Sequence, residues 1–362
     1  MRSVHALLVL VSALSVTGPV PATRNANRAA VAFGAMQGAF FDPRVGLYRD
    51  IEGQSGPATA WPYSQALSAT IALSNVPRLG RRFVAVARKR VSALSHYARP
   101  DGAYAAAAGG SSDVYFDDNE WIALDLLAWH DRTGDRRSLA VARQLFRLVV
   151  EGWDNDASHP CPGGVFWTTA AGNHDRNTVT TATGALVATR LAEATGEQTY
   201  VRWARRMLAW VERCMAGPDG LLWDHIDLGG RVDRTYWSYN QGTAIGAYVL
   251  LYRLKRDVAA LRRADELAAK SLAHFDSDPR GKEPPFFLAI FFRNLLALDR
   301  VEHRHRYRQA AQAYADSVWS ELRDRRTGLF SFRGAGPERL LEQAAVVQLY
   351  ASLAQPPRTV TP

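Results

Sequence analysis

The sequence predicts an all-α chain folded as an (α/α)6 barrel of six helical hairpins in a single domain, and three observations lead there. Apolar residues recur at helical spacing in about twelve stretches, and no comparable run alternates with period two. The links between those stretches alternate between short and long. The long links share a glycine followed closely by an aromatic: Gly46-Leu-Tyr48, Gly102-Ala-Tyr104, Gly164-Val-Phe166, Gly220-Leu-Leu-Trp223 and Gly328-Leu-Phe330. Their glycines are 56, 62, 56 and 108 residues apart, so one copy near residue 275 is missing or altered. A period of about 56 residues divides the chain into six units of two helices.

Residues 1–22 read as a secretory signal. Arg2 and His5 precede an apolar run from Ala6 to Val16, and small residues around Pro19-Val20-Pro21-Ala22 close it. The run is too short to span a bilayer comfortably, so no stable membrane insertion is expected once it is removed. The barrel then occupies 23–356 and a tail 357–362. Helices are expected near 25–39, 60–75, 81–97, 118–132, 136–151, 177–195, 198–215, 240–255, 258–275, 284–299, 304–323 and 338–354. Arg132-Thr-Gly-Asp135 and Ala194-Thr-Gly-Glu197 place a glycine where a left-handed helix cap is needed and close tight hairpins. If short and long links alternate around a closed ring, every long link emerges at the same end, and function is expected there. A solenoid of the same hairpins is the alternative; six units close a ring, and the end units are no more polar than the rest.

Composition narrows the function classes. The chain has 362 residues, 47% hydrophobic and 22% charged, the profile of a soluble globular protein. Cys161 and Cys214 exclude a disulfide scaffold and any CxxC zinc or redox site; an exported chain permits one bridge between them and equally a free pair. The net charge of +9 comes from arginine, with only Lys89, Lys255, Lys270 and Lys282 as lysines. The run Arg300–Arg308 reads as a solvated helix face, with contact to an anionic wall polymer as the alternative, and no nucleic-acid partner is expected. GxSxG, HExxH, a phosphate-binding glycine loop and an EF-hand pattern are all missing from the sequence.

The long links are crowded with aromatics, among them Trp61, Tyr104, Tyr115, Trp167, Trp237 and Tyr239. Flat rings stack on pyranose faces, and the sugar hydroxyls need polar partners; Asn119, Arg176, Asn177, Asn240 and Gln241 lie at the ends of the same links. The sharpest local signal is Tyr115-Phe116-Asp117-Asp118-Asn119-Glu120-Trp121, where a long link enters a helix. Paired aspartates there satisfy free N–H groups and the helix dipole. They also suit glycosidic cleavage, which needs one ionised and one protonated carboxyl. Repulsion between neighbours splits their titration in that sense.

These residues resemble glycoside hydrolase family 76, the secreted α-1,6-mannanases, over nearly the whole mature length. The segments that carry the resemblance are Tyr115–Trp121 with Arg132–Asp135; Gly152-Trp-Asp154 leading to Cys161-Pro-Gly-Gly-Val-Phe-Trp167; Arg176-Asn177; Trp237-Ser-Tyr-Asn-Gln-Gly242; and Glu342-Gln-Ala-Ala345. The resemblance implies an (α/α)6 barrel and hydrolysis of α-1,6-mannosidic bonds with retention, without metal or cofactor. It assigns Asp117 as nucleophile and Asp118 as general acid and base. It places Tyr115, Asn119, Trp121, Trp167, Arg176, Asn177, Trp237, Tyr239, Asn240 and Gln241 along the substrate. The expected partner is α-mannan or a mannose-rich glycan, and the expected state a secreted monomer. Glu120, Ile122 and the stretch Arg176–Thr181 depart from the common family pattern, which leaves the preferred mannan and endo or exo action open. A mannan transglycosylase acting on cell-wall glycan and a non-catalytic mannan-binding protein remain as alternatives. A same-fold epimerase would need paired histidines, and the histidines here are scattered.

Overall fold

The computed structural model describes residues 21–275, 278–303, 305–356 and 362. Among them run twelve α-helices: α1 (Pro21–Phe40), α2 (Ala60–Ser74), α3 (Arg81–Ala93), α4 (Phe116–Thr133), α5 (Arg136–Glu151) and α6 (Thr178–Thr195), then α7 (Gln198–Cys214), α8 (Ser238–Lys255), α9 (Val258–His274), α10 (Pro285–Glu302), α11 (Arg306–Ser317) and α12 (Leu340–Ala354). Each lies on an expected stretch. The apolar run of the expected signal and residues 357–361 of the expected tail fall outside the described residues, while α1 takes in Pro21 and Ala22.

Burial separates the helices into two rings. The even-numbered ones are enclosed on nearly every side: α6 buries all residues from Thr178 to Ala192. A helix apolar around its whole circumference needs neighbours all round. The odd-numbered helices bury a single stripe, as with Ser138, Ala142, Leu145, Phe146 and Val149 on α5. The inner helices pack in sequence from α2 through α4, α6, α8 and α10 to α12, which closes back on α2. This is the (α/α)6 barrel. Five units are hairpins joined by short links, but the sixth is not: α12 packs against α1, so contact between the two ends of the chain completes the ring.

Short links gather at one end. Gly134 and Gly196 adopt φ 74° and 77° to cap α4 and α6, as their positions require, while Arg256 and His303 take the same left-handed conformation after α8 and α10. At the other end, the recurring glycines are all left-handed, with φ of 77°, 86°, 86°, 81° and 78° at Gly46, Gly102, Gly164, Gly220 and Gly328. Each turns its link back so that the following residues pair with backbone.

An amide side chain from an inner helix then holds the turned strand. Asn119 of α4 grips both backbone groups of Tyr104, Gln241 of α8 those of Leu222, and Gln343 of α12 those of Phe330, at 2.8–3.0 Å. On α6 the hydroxyls of Thr180 and Thr181 do this for Val165. At Gly102, Gly164, Gly220 and Gly328 the glycine and aromatic repeat is therefore the sequence trace of this clamp.

Strands were not expected. The long links form an antiparallel pair, β1 (Phe41–Asp42) with β2 (Leu47–Tyr48), and a three-stranded antiparallel sheet ordered β3 (Asp175–Asn177), β4 (Trp223–Asp227), β5 (Val232–Tyr236). These strands are short and half exposed, so no apolar alternation marks them. Cys161 and Cys214 are bridged, with Cα atoms 6.0 Å apart, which ties the link after α5 to the end of α7. Among the described residues no helix is long and apolar enough to cross a membrane.

Replacing Gln343 by Ala strands the buried N–H and C=O of Phe330. The expected cost is about 2–4 kcal/mol of stability, measured by denaturant unfolding. Loss below about 1 kcal/mol would show that water replaces the clamp.

Candidate active site

Asp117 and Asp118 occupy the first turn of α4 at the end of the barrel where the long links meet. Their position is set from behind. The Phe116 N–H donates to the Trp167 carbonyl, Tyr115 pairs with Thr168, and the Asn119 amide also donates to the Tyr115 carbonyl at 2.8 Å. The two aspartates have different surroundings. Asp117 is partly exposed; its Oδ1 accepts the Asp118 N–H at 3.0 Å and its Oδ2 accepts the Trp167 indole N–H at 3.3 Å. Asp118 is buried, and among the described residues no hydrogen bond to its carboxylate offsets that burial.

Burial pushes Asp117 up to about 6, opposed by those two hydrogen bonds and reinforced by the negative charge of Asp224. Burial also drives Asp118 well above the usual carboxylate range, and the neighbouring Asp117 charge adds to it. The pair thus favours a state with Asp117 ionised and Asp118 protonated. Glu120 lies beneath them, fully buried, with neither carboxyl oxygen hydrogen-bonded among the described residues. Burial, then the Asp117 charge, raises it well above its ordinary value.

Aromatic rings flank the pair. Trp167 keeps 40% of its surface open and meets Tyr115 edge-on at 5.1 Å. Tyr239 lies flat on Phe287, centroids 3.8 Å apart, and Phe287 also meets Trp237 at 5.5 Å and stacks with Trp61 at 6.0 Å. The charges of Asp224 and Asp117 both act on the Tyr239 hydroxyl, after burial, which places that ring beside the acidic group. Asp224 is held by Asn240 at 3.1 Å and by His225 at 3.0 Å, and the hydrogen bond to Asp224 raises His225. Among the described residues no cluster of three or more His, Cys, Asp or Glu is arranged for a metal ion.

The expected site residues therefore divide. Asp117, Asp118, Tyr115, Trp167, Trp237, Tyr239 and Asn240 come together with Asp224. Trp121 is buried in the hydrophobic core, and Asn119 and Gln241 spend their amides on the clamps. Arg176 is fully buried: it pairs with Asp154 at 2.8 Å and donates to the carbonyls of Pro160, Cys161 and Asp227. These four correct the expectation of cleft contacts: Asn119, Gln241 and Arg176 spend polar groups inside the fold, and the Trp121 ring packs in the core. Asn177 stands buried at the N-cap position of α6 with no side-chain capping hydrogen bond, and its Oδ1 has no partner among the described residues. Asp224, His225 and Phe287 join the site without a sequence expectation, as does Glu283, whose Oε1 accepts the Ser238 N–H at 2.7 Å and whose charge acts on Tyr239. Asp224-His225 directly follows the glycine and aromatic signature at Gly220, which is the available signal.

An (α/α)6 barrel with paired carboxyls and an aromatic wall at its loop-bearing end has the architecture of a carbohydrate-active protein. The chain belongs to glycosyl hydrolase family 76, whose family pattern matches residues 24–331. Among curated relatives, mannan endo-1,6-alpha-mannosidase DCW1 of Saccharomyces cerevisiae is 31% identical over 123 residues, 32% of this chain and 27% of that protein. The meiotically up-regulated gene 191 protein of Schizosaccharomyces pombe is 27% identical over 173 residues, 44% and 38% of the two chains. The matches thus span about a quarter to two fifths of these relatives. A family 76 mannosidase of Bacteroides thetaiotaomicron superposes with TM-score 0.83 at 24% identity, covering 91% of this chain and 98% of that one. An inactive α-1,6-mannanase variant of Salegentibacter, with two consecutive aspartates replaced and α-1,6-mannotriose bound, superposes with TM-score 0.78 at 20% identity, covering 91% and 99%. The structural likenesses establish the fold.

Two outcomes follow from the electrostatics. Asp224→Asn removes a negative charge that raises Asp117, so the acid limb of any Asp117-dependent activity moves to lower pH by a fraction of a unit; an unmoved limb would separate the two groups. Glu120 is raised on folding, so its contribution to stability is full below its unfolded value of 4.5 and is lost as pH rises. Glu120→Gln should remove up to about 1.4 kcal/mol per pH unit of that fall, read from melting curves between pH 4 and 8.

Proposed function

We propose that this protein is an exported, retaining endo-α-1,6-mannanase that cleaves mannan or a mannose-rich glycan without metal or cofactor, as a monomer. The observation that carries the reading is the consecutive Asp117–Asp118 pair, polarised into one ionised and one protonated carboxyl beside an aromatic wall. The mannosidase names of the relatives, and the Salegentibacter neighbour inactivated at two consecutive aspartates with mannotriose bound, support the same chemistry.

In the proposed reaction the Asp117 carboxylate attacks the anomeric carbon from the face opposite the leaving sugar. Asp118 gives its proton to the departing glycosidic oxygen, leaving a mannosyl ester on Asp117. Asp118, now ionised, takes a proton from water, whose oxygen attacks the same carbon and releases Asp117. Two inversions restore the α configuration. The indole N–H of Trp167 holds Asp117 in place and favours its charged form. Tyr239, Trp237 and Trp167 offer faces for mannose rings, while Asn240 steadies Asp224 close by. Export is supported by the signal layout of the first 22 residues and by the Cys161–Cys214 bridge, a bond that persists in oxidising compartments.

Linear α-1,6-mannan incubated with the protein should yield short oligosaccharides that are α-configured when first released, as read by NMR. Asp117→Asn and Asp118→Asn should each lower kcat by about a hundred- to ten-thousand-fold with little change in Tm. Full activity in either variant would remove it from the chemistry. Products longer than the substrate would mark transfer to sugar, and binding without cleavage a lectin-like role. Activity should fall below about pH 6, where Asp117 takes up its proton.

A further inference from the structure

The charge of +9 is unevenly placed. Between residues 53 and 100 there are seven arginines and lysines and no aspartate or glutamate. Five of these cations, Arg78, Arg81, Arg82, Arg88 and Lys89, are exposed on α3 and the link before it. On α3 the seven-residue spacings of Arg81 with Arg88 and of Arg82 with Lys89 align four of them as a stripe, about 12 Å long from Arg81 to Lys89, with Arg78 in the link before it. None of the five makes a salt bridge among the described residues. Some cations on other outer helices are answered, Arg205 by Asp257, Arg263 by Glu212 and Arg306 by Asp265, while Arg136, Arg137 and Arg147 of α5 share the lack of a salt bridge among the described residues. The α3 side differs in having no acidic residue from 53 to 100.

Beside the stripe runs a groove of about 730 Å³ between α1, the β1–β2 turn and α3. Phe33, Phe41, Pro43, Val45 and Val86 line it, and Val45 is 53% exposed. Arg90 strengthens its floor, with the guanidinium 3.6 Å over the Phe41 ring. Lys89 belongs to both features, so an unanswered cationic stripe and an apolar groove share an edge.

We propose that this side of the barrel docks on an anionic phospholipid surface, with phosphates along the α3 stripe and hydrocarbon in the groove. A soluble polyanion would satisfy the cations and leave the groove without a role, whereas an anionic amphiphile matches both. The docking side is an outer helix and a turn, separate from Asp117 and its neighbours. A chain without a spanning helix among its described residues would then be held at a surface.

The test is co-sedimentation of the protein with phosphatidylcholine vesicles, with and without phosphatidylglycerol, and with soluble polyphosphate as competitor. Binding is expected only with phosphatidylglycerol and should weaken with salt. The triple variant Arg81→Gln, Arg82→Gln, Lys89→Gln should bind about a hundredfold less, at about fivefold per cation. Val45→Asn should weaken vesicle binding while leaving polyphosphate binding unchanged. Melting temperatures check that both variants fold. No binding to phosphatidylglycerol vesicles, equal binding by the triple variant, or capture by polyphosphate alone would overturn the proposal; the last would assign the stripe to a soluble polyanion.

Discussion

A side-chain amide at the start of an inner helix, closed on the backbone of the preceding link, is the contact on which the loop-bearing end of this barrel depends. An amide can offer a donor and an acceptor at once, so it can replace the neighbouring strand that an isolated turn lacks. A left-handed glycine first reverses the link; Asn119, Gln241 or Gln343 then pairs with the residue two positions later. The clamped residue is itself the aromatic at Tyr104 and Phe330, and at Leu222 the aromatic Trp223 comes next. Because the buried groups would otherwise go unpaired, the device fixes each link against its helix and so fixes where the helix begins. Asp117 and Asp118 are held in the first turn of α4 by this means.

Closure of the ring gives the site its second constraint. Inner helices enclosed on all sides leave only their N-terminal ends open, and those ends meet the long links. Acidic groups gathered there are deprived of water, which raises them, and the indole and backbone N–H groups that reach Asp117 restore its charged form selectively. Glu120 adds a third carboxyl beneath the pair and is favoured neutral. An acidic end of this kind costs stability at neutral pH, an expense natural folds accept chiefly where chemistry depends on it.

The departures from expectation share a cause. Arg176, Asn119 and Gln241 have the chemistry of sugar ligands, and nothing in their identity shows whether their polar groups face a cleft or backbone. Trp121 and Trp167 are both tryptophans in aromatic-rich segments, yet one is core and the other open. The three-stranded sheet escaped notice because half-exposed strands of three to five residues need no apolar alternation. Asp224 and His225 reach the site from that sheet, so missing it meant missing them.

By itself the sequence determined the twelve helical stretches of the described residues, the alternation of links and the aspartate pair at the end where the long links meet. Helical periodicity, helix-capping glycines and first-turn carboxylates act over a few residues and are written in adjacent letters. Only the tertiary structure decided that α12 and α1 complete the sixth unit, that Cys161 meets Cys214, and which polar side chains are consumed by clamps. It also brought Asp224, Tyr239 and Phe287 to the aspartates across more than a hundred residues. Those outcomes depend on which groups are left facing one another once the ring has closed, and burial of that kind belongs to no single segment.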